Sequence, residues 1–193
     1  EFRRHGYALI DWLANYMETV GERQVMPDVE PGDIAASIPA TAPEKPERFE
    51  DLIGDLDKVV MPGITHWQSP GWFAYYPATT SGPSILGELV SAGLGVQGML
   101  WSTSPAATEI ENRVTDWLVD LLGLPATWRN RTGPGGGVLQ SSASDSTHLI
   151  HVVARERAMA GQSQRPAFVA YTSAQAHSSV EKGARVACIE HFR

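Results

Sequence analysis

The sequence predicts an α/β fold entered through a helical N-terminal segment. Three observations predict it. Apolar residues recur at helical spacing through the first sixty positions, a glycine-rich turn leads into another helix near residue 140, and one short apolar run late in the chain has the character of a strand. Length and composition agree with a folded domain. The chain has 193 residues, 42% hydrophobic and 19% charged, enough for a real core and unlike a disordered segment.

Each element has its own signal. Residues 2–20 place Phe2, Leu9, Ile10, Leu13, Met17 and Val20 on one helical stripe. Residues 27–46 carry five prolines and no helical period, which predicts an extended crossing segment. A second helix is predicted with Phe49, Leu52, Ile53, Leu56 and Val60 buried, ended by Pro62 and Gly63. Residues 65–77 read as an aromatic, proline-punctuated loop, and the small apolar run 84–100 as a buried helix. Ser104 and Pro105 predict an N-cap and first helical position, for a helix running to about Leu122 with Val114, Trp117, Leu118 and Leu121 inward. After Gly133–Gly137, residues 138–140 are either a short strand or a tight lead into the helix expected at 145–160. Residues 167–172 are the best strand, and Val186–Ile189 the start of another. Ser178 and Glu181 have capping-box spacing, so a helix is expected just after His177. Two short parallel strands cannot bury both faces of a sheet, so the expectation is of a chain that stops short of its whole domain and begins in mid-sequence, with no initiator Met.

Charge and cysteine content narrow the partners. A net charge of −7 with no Lys/Arg run argues against nucleic acid or an anionic membrane as the main partner. No apolar stretch reaches the roughly 18 residues that span a bilayer. One cysteine, Cys188, cannot form an internal disulfide. It is expected to be a small buried apolar residue in a reducing, cytoplasmic compartment.

Several residues could carry chemistry. In Gly133–Ser144 (GPGGGVLQSSAS) the glycines allow close backbone approach. Ser142, Ala143 and Ser144 would stand at a helix N-terminus, where N–H groups and the helix dipole favour an anion such as phosphate. A flexible loop with a serine cap explains the same residues; neither a P-loop nor a dinucleotide fingerprint is present. His177, between a strand and a helix, could stack on a flat ring, donate a hydrogen bond or transfer a proton, or be a loop histidine satisfied by the backbone. Trp67, Trp72, Phe73, Tyr75 and Tyr76 could line an aromatic pocket or simply pin their loop. His148 and His151 share a helix face, but no third ligand is evident and no metal is expected.

Four segments taken together resemble the successive motifs of the aromatic-L-amino-acid decarboxylase family: Trp67–Pro77 (WQSPGWFAYYP), Ser104–Leu118 (SPAATEIENRVTDWL), Gly135–Ser144 (GGGVLQSSAS) and Val169–Lys182 (VAYTSAQAHSSVEK). The resemblance extends over essentially the whole chain, in order. It implies the fold of type I pyridoxal-phosphate (PLP) enzymes, with residues 1–80 a helical and extended segment that wraps a dimer partner and 81–193 the first part of the large PLP-binding α/β domain. It further implies PLP as cofactor, an L-amino acid (aromatic) as substrate, decarboxylation as the reaction, and a homodimer with its active site at the subunit interface. Ala143 and Ser144 match residues that bind the PLP phosphate. His177 matches the histidine that stacks on the pyridine ring and takes part in proton control. Trp67, Tyr75 and Pro77 match substrate-side loop residues, and Gln97 and Met99 match positions that reach into the neighbouring subunit's site.

Three residues depart from the pattern: Ala78 stands where a threonine is frequent, Met99 where an aromatic is, and Asp145 where a glutamate is. The family's lysine that holds the cofactor lies beyond residue 193, and Lys45, Lys58 and Lys182 do not match it. The competing expectations are a non-catalytic dimerisation module and a related PLP enzyme: an aromatic aldehyde synthase, or a histidine or acidic amino-acid decarboxylase.

Overall fold

The computed structural model describes residues 1–76, 80–162 and 166–189, and the backbone of 191–192. The chain divides into two compact units, Glu1–Gly93 and Leu94–Arg193.

In the first unit, helix α1 runs over Phe2–Thr19, as its apolar stripe predicts. Its inner turns are tied down by polar contacts: Trp12 Nε1 donates to Asp57 at 3.0 Å and Arg4 pairs with Glu50 at 2.8 Å. The prolines of 27–46 do not exclude helix altogether. One turn, α2 (Asp33–Ala36), forms after Gly32, whose φ of 111° suits glycine, and the Asp33 carboxylate accepts the Glu30 N–H at 2.8 Å. Helix α3 (Phe49–Asp55) passes into a π-helical turn over Leu56–Val60 and a 3-10 turn over Met61–Gly63. The wider turn rotates everything after Asp55 relative to an α-helical stripe. Val60 is therefore exposed, against expectation, while Met61 is buried; Leu52, in the regular part of α3, is exposed as well. Helix α4 covers Gly82–Leu94, shorter than the run 84–100, and it is not buried. Leu86 and Leu89 line an open apolar groove with Ile10, Leu13 and Phe49, and are about half exposed.

In the second unit, Ser104 caps helix α5 (Pro105–Leu121) by accepting the Ala107 N–H, with Pro105 at the first position, as predicted. The buried face is another one. Thr115, Asp116 and Val119 are buried, while Trp117, Leu118 and Leu121 are exposed. The reason is a polar clamp. Asp116 accepts the backbone N–H groups of Asn130 (2.6 Å) and Arg131 (3.4 Å), Asn130 Nδ2 donates to Thr115 Oγ1 at 2.8 Å, and Glu111 accepts the Leu139 N–H at 2.8 Å. These carboxylates hold the glycine-rich segment on α5. Residues 138–140 form neither strand nor helix.

Helix α6 spans Ala143–Met159, starting two residues earlier than expected. It packs against α7 (Ser179–Val186) through small residues. A Cβ on Gly183 would lie 3.0 Å from His151 Nδ1 and 3.3 Å from the Thr147 carbonyl, so glycine permits this approach. Ala184 and Ala187 are fully buried beside it, and Arg155 donates to the Ala187 carbonyl at 2.9 Å. The predicted strand 167–172 is reduced to β1 (Val169–Ala170), which pairs in parallel with β2 (His191–Phe192). Val186–Ile189 is not a strand. Val186 ends α7 and a turn through Cys188, at φ 53°, follows. Cys188 is exposed, not buried, because that turn carries it away from the α6–α7 contact. The β1–α7–β2 succession is the α/β signature expected from the sequence.

Candidate functional site

Each unit carries part of the expected site. In the second, Ser142 caps α6: its Oγ accepts the Asp145 N–H at 3.1 Å and donates to the Asp145 carboxylate at 2.8 Å. Ser141 donates to the same carboxylate at 2.5 Å. These two hydroxyls, Ser141 first, hold the Asp145 carboxyl below its ordinary value. His148 adds to the effect and desolvation opposes it. Behind this cap, Ala143 and Ser144 occupy the first two helical positions, Ala143 exposed and Ser144 half-buried. Their backbone N–H groups make no hydrogen bond among the described residues, as expected for the first turn of a helix. Two open amides at the positive end of a seventeen-residue helix, with the Ser144 hydroxyl beside them, suit a phosphate group.

His177 stands just before α7, exposed. Its Nδ1 lies 3.2 Å from the Ser179 N–H and 3.0 Å from Ser179 Oγ, and its carbonyl accepts the Val180 N–H. The capping box read from Ser178 and Glu181 does not form. Ser178 adopts helical φ and ψ (−56°, −18°) and its side chain makes no cap bond, while the His177 ring accepts the first helical amide, that of Ser179. Gln97 and Met99 follow α4 in an exposed turn, where the Gln97 carbonyl accepts from Thr103 Oγ1 at 2.7 Å. No hydrogen bond or ring contact among the described residues joins Gln97, Met99, Ser144 and His177 to one another.

In the first unit the structure does bring Trp67 and Tyr75 together. Their rings stack at 5.6 Å with an interplanar angle of 8°, and Trp72 stacks on Trp67 at 4.9 Å. Tyr75 holds φ 58°, an uncommon conformation for a side-chain-bearing residue, and its ring is exposed. Pro77, the third expected substrate-side loop residue, and Ala78 lie outside the described residues. The anchor of this loop was not foreseen from sequence. His66 is buried, its Nδ1 lies 3.0 Å from the Tyr16 hydroxyl, and its N–H donates to the Val25 carbonyl. Burial pushes the His66 imidazole down, and the nearby Arg23 pushes the same way. No group of three or more metal-binding side chains occurs among the described residues.

The model of the pyridoxal-dependent decarboxylase conserved domain matches residues 31–193. Mouse aromatic-L-amino-acid decarboxylase is 44% identical over 98% of this chain and 42% of its own length. Mouse histidine decarboxylase is 43% identical over 98% of this chain and 30% of its own. Drosophila melanogaster 3,4-dihydroxyphenylacetaldehyde synthase is 44% identical over 98% and 39%. Among solved structures, Catharanthus roseus tryptophan decarboxylase in complex with L-tryptophan superposes with a TM-score of 0.92 at 38% identity. It covers all of this chain and 41% of that one. Rhodiola rosea 4-hydroxyphenylacetaldehyde synthase gives 0.91 at 38% identity, over 98% and 41%. The chain thus spans well under half of each relative.

Proposed function

The chain belongs to the pyridoxal-dependent decarboxylase family, and on that premise we propose that the protein it is part of decarboxylates an aromatic L-amino acid with PLP as cofactor. The observation that supports this most is the first turn of α6, where Ala143 and Ser144 leave two amides open beside a hydroxyl at a capped helix N-terminus.

In this reading the bound cofactor supplies an electron sink for the charge left on the substrate as CO₂ departs. The residues of this chain do the rest. The Ala143 and Ser144 amides and the Ser144 hydroxyl hold the phosphate, and the α6 dipole favours its charge. The His177 imidazole covers one face of the pyridine ring and keeps a proton at hand. Trp67, Tyr75 and Pro77 receive the substrate's side chain. Gln97 and Met99 serve the site of a second copy, residues 1–80 wrap a partner subunit, residues 81–193 begin the PLP-binding domain, and the enzyme works as a homodimer. The resemblance and the single cysteine support a cytoplasmic location; no helix among the described residues is long and apolar enough to cross a membrane.

The test is an assay of the full-length protein with PLP against Trp, Tyr, DOPA, Phe, His and Glu, following amine, aldehyde and CO₂. Turnover of one or more of the first four to the amine is expected, and His177→Gln should reduce it about a hundredfold or more, the scale of lost acid–base help. Aldehyde as the product, or turnover of His or Glu alone, would overturn the assignment in favour of the activities named for the other relatives.

A further inference from the structure

His177 is held by one neighbour in a way that decides its chemistry. Two donors of Ser179 converge on Nδ1: the backbone N–H at 3.2 Å and the hydroxyl at 3.0 Å. A backbone N–H can only donate, so Nδ1 presents its lone pair and the ring proton sits on Nε2. A proton on Nδ1 would point at the Ser179 amide hydrogen. Ser179 itself is well fixed. It is buried, at 6% exposure, and is the first residue of α7, whose Gly183 and Ala184 are buried against α6. Ser178, the adjacent serine that looks like the cap, makes no such bond and is exposed. The two serines therefore do different work.

We propose that Ser179 is a positioning residue that sets His177 as the Nε2–H tautomer and fixes the plane of its ring, so that Nε2 is the atom through which His177 holds or moves a proton. This inference rests on the reading that His177 lies against bound PLP. It adds what that reading lacks: which nitrogen acts, and which side chain makes it act. Two donors on one acceptor nitrogen also keep the imidazole from rotating about its Cβ–Cγ bond, which a ring meant to lie flat on another ring requires.

The experiment uses the full-length protein with ¹⁵N-labelled histidine, first without cofactor. His177 is assigned by the signals that vanish in His177→Gln. Wild type should show a protonated Nε2 and a bare Nδ1. Ser179→Ala keeps the backbone donor and loses the hydroxyl, so both nitrogens should shift part of the way toward averaged values, and Ser179→Thr, which keeps the hydroxyl, should restore the pattern. With PLP and substrate, kcat of Ser179→Ala should fall about fivefold, the scale of one lost hydrogen bond. KM should stay within about twofold, and Ser178→Ala should match wild type. An Nδ1–H signal in wild type overturns the proposal, as does Ser179→Ala with unchanged ¹⁵N shifts and unchanged kcat. Should Ser179→Ala not fold, the wild-type and Ser179→Thr spectra still decide. A His177→Gln protein with full turnover would sink the placement of His177 at the cofactor instead, and the wild-type spectrum would judge the tautomer separately.

Discussion

Buried polar side chains, more than apolar ones, set the local geometry here. Asp116 shows how. Its burial alone would raise its carboxyl, but donors from Asn130 and Arg131 outweigh that and hold it below its ordinary value, so it stays ionised and keeps gripping two backbone amides. His66 is the opposite case. Burial lowers it, so the folded protein binds its proton less readily than the unfolded chain does. The stability this group contributes is fully present above its ordinary value of 6.5 and is lost as pH falls below it. Tryptophan fluorescence of the Trp67–Trp72–Tyr75 stack, followed during thermal unfolding from about pH 7.5 to pH 5, should show the loop loosening towards acid. His66→Gln should flatten that dependence; an equal slope in the variant would assign it to other groups.

At the scale of elements, the path from α5 to α6 prepares the helix turn at which we place the phosphate. Carboxylates on α5 capture the amides of residues 130, 131 and 139, and the chain then reaches the Ser142 cap. The glycines in between allow the backbone to fold onto itself. A Cβ on Gly133 would sit 2.3 Å from the Thr127 carbonyl oxygen and 2.8 Å from its Cα, and backbone atoms cannot step aside as a flexible side chain can. Gly133→Ala should therefore destabilise the second unit by about 2 kcal/mol and weaken PLP binding with it. Thermal denaturation and fluorescence titration with PLP would read the two effects. A variant with wild-type midpoint and affinity would show that this close approach does not matter.

At the scale of the molecule, apolar surface is left uncovered. The chain exposes 15106 Å², whereas two separate globules of half its mass would together expose about 11,000 Å². The excess includes Trp117, Leu121 and Leu122 on or just beyond α5 and Leu86, Leu89 and Val90 on α4. Faces this apolar are expected to meet other protein. The 193 residues expressed alone should bind a hydrophobic dye such as anilinonaphthalene sulfonate strongly and self-associate into a range of sizes in sedimentation, while the full-length protein should bind little dye and sediment as one dimeric species. A dye-silent monomer of these 193 residues would contradict that.

What was legible in the sequence was whatever depends on local chemistry. The α1 stripe, the Ser104-Pro105 start of α5, the Pro62-Gly63 stop and the helix N-terminus at Ser142, Ala143 and Ser144 are each written in a few adjacent residues, because capping and helical periodicity act over one or two turns. The family was legible too, since its motifs recur in order along the chain. Only the tertiary structure decided which faces are buried. Periodicity marks an apolar stripe but not what covers it, so Trp117, Leu118 and Leu121 were expected inside, whereas Thr115 and Asp116 are, held by residues fourteen and fifteen positions away. The work of Ser178 and Ser179 was likewise hidden. The spacing of Ser178 to Glu181 spells a capping box, but Ser178 makes no cap bond and it is Ser179 that meets the His177 ring.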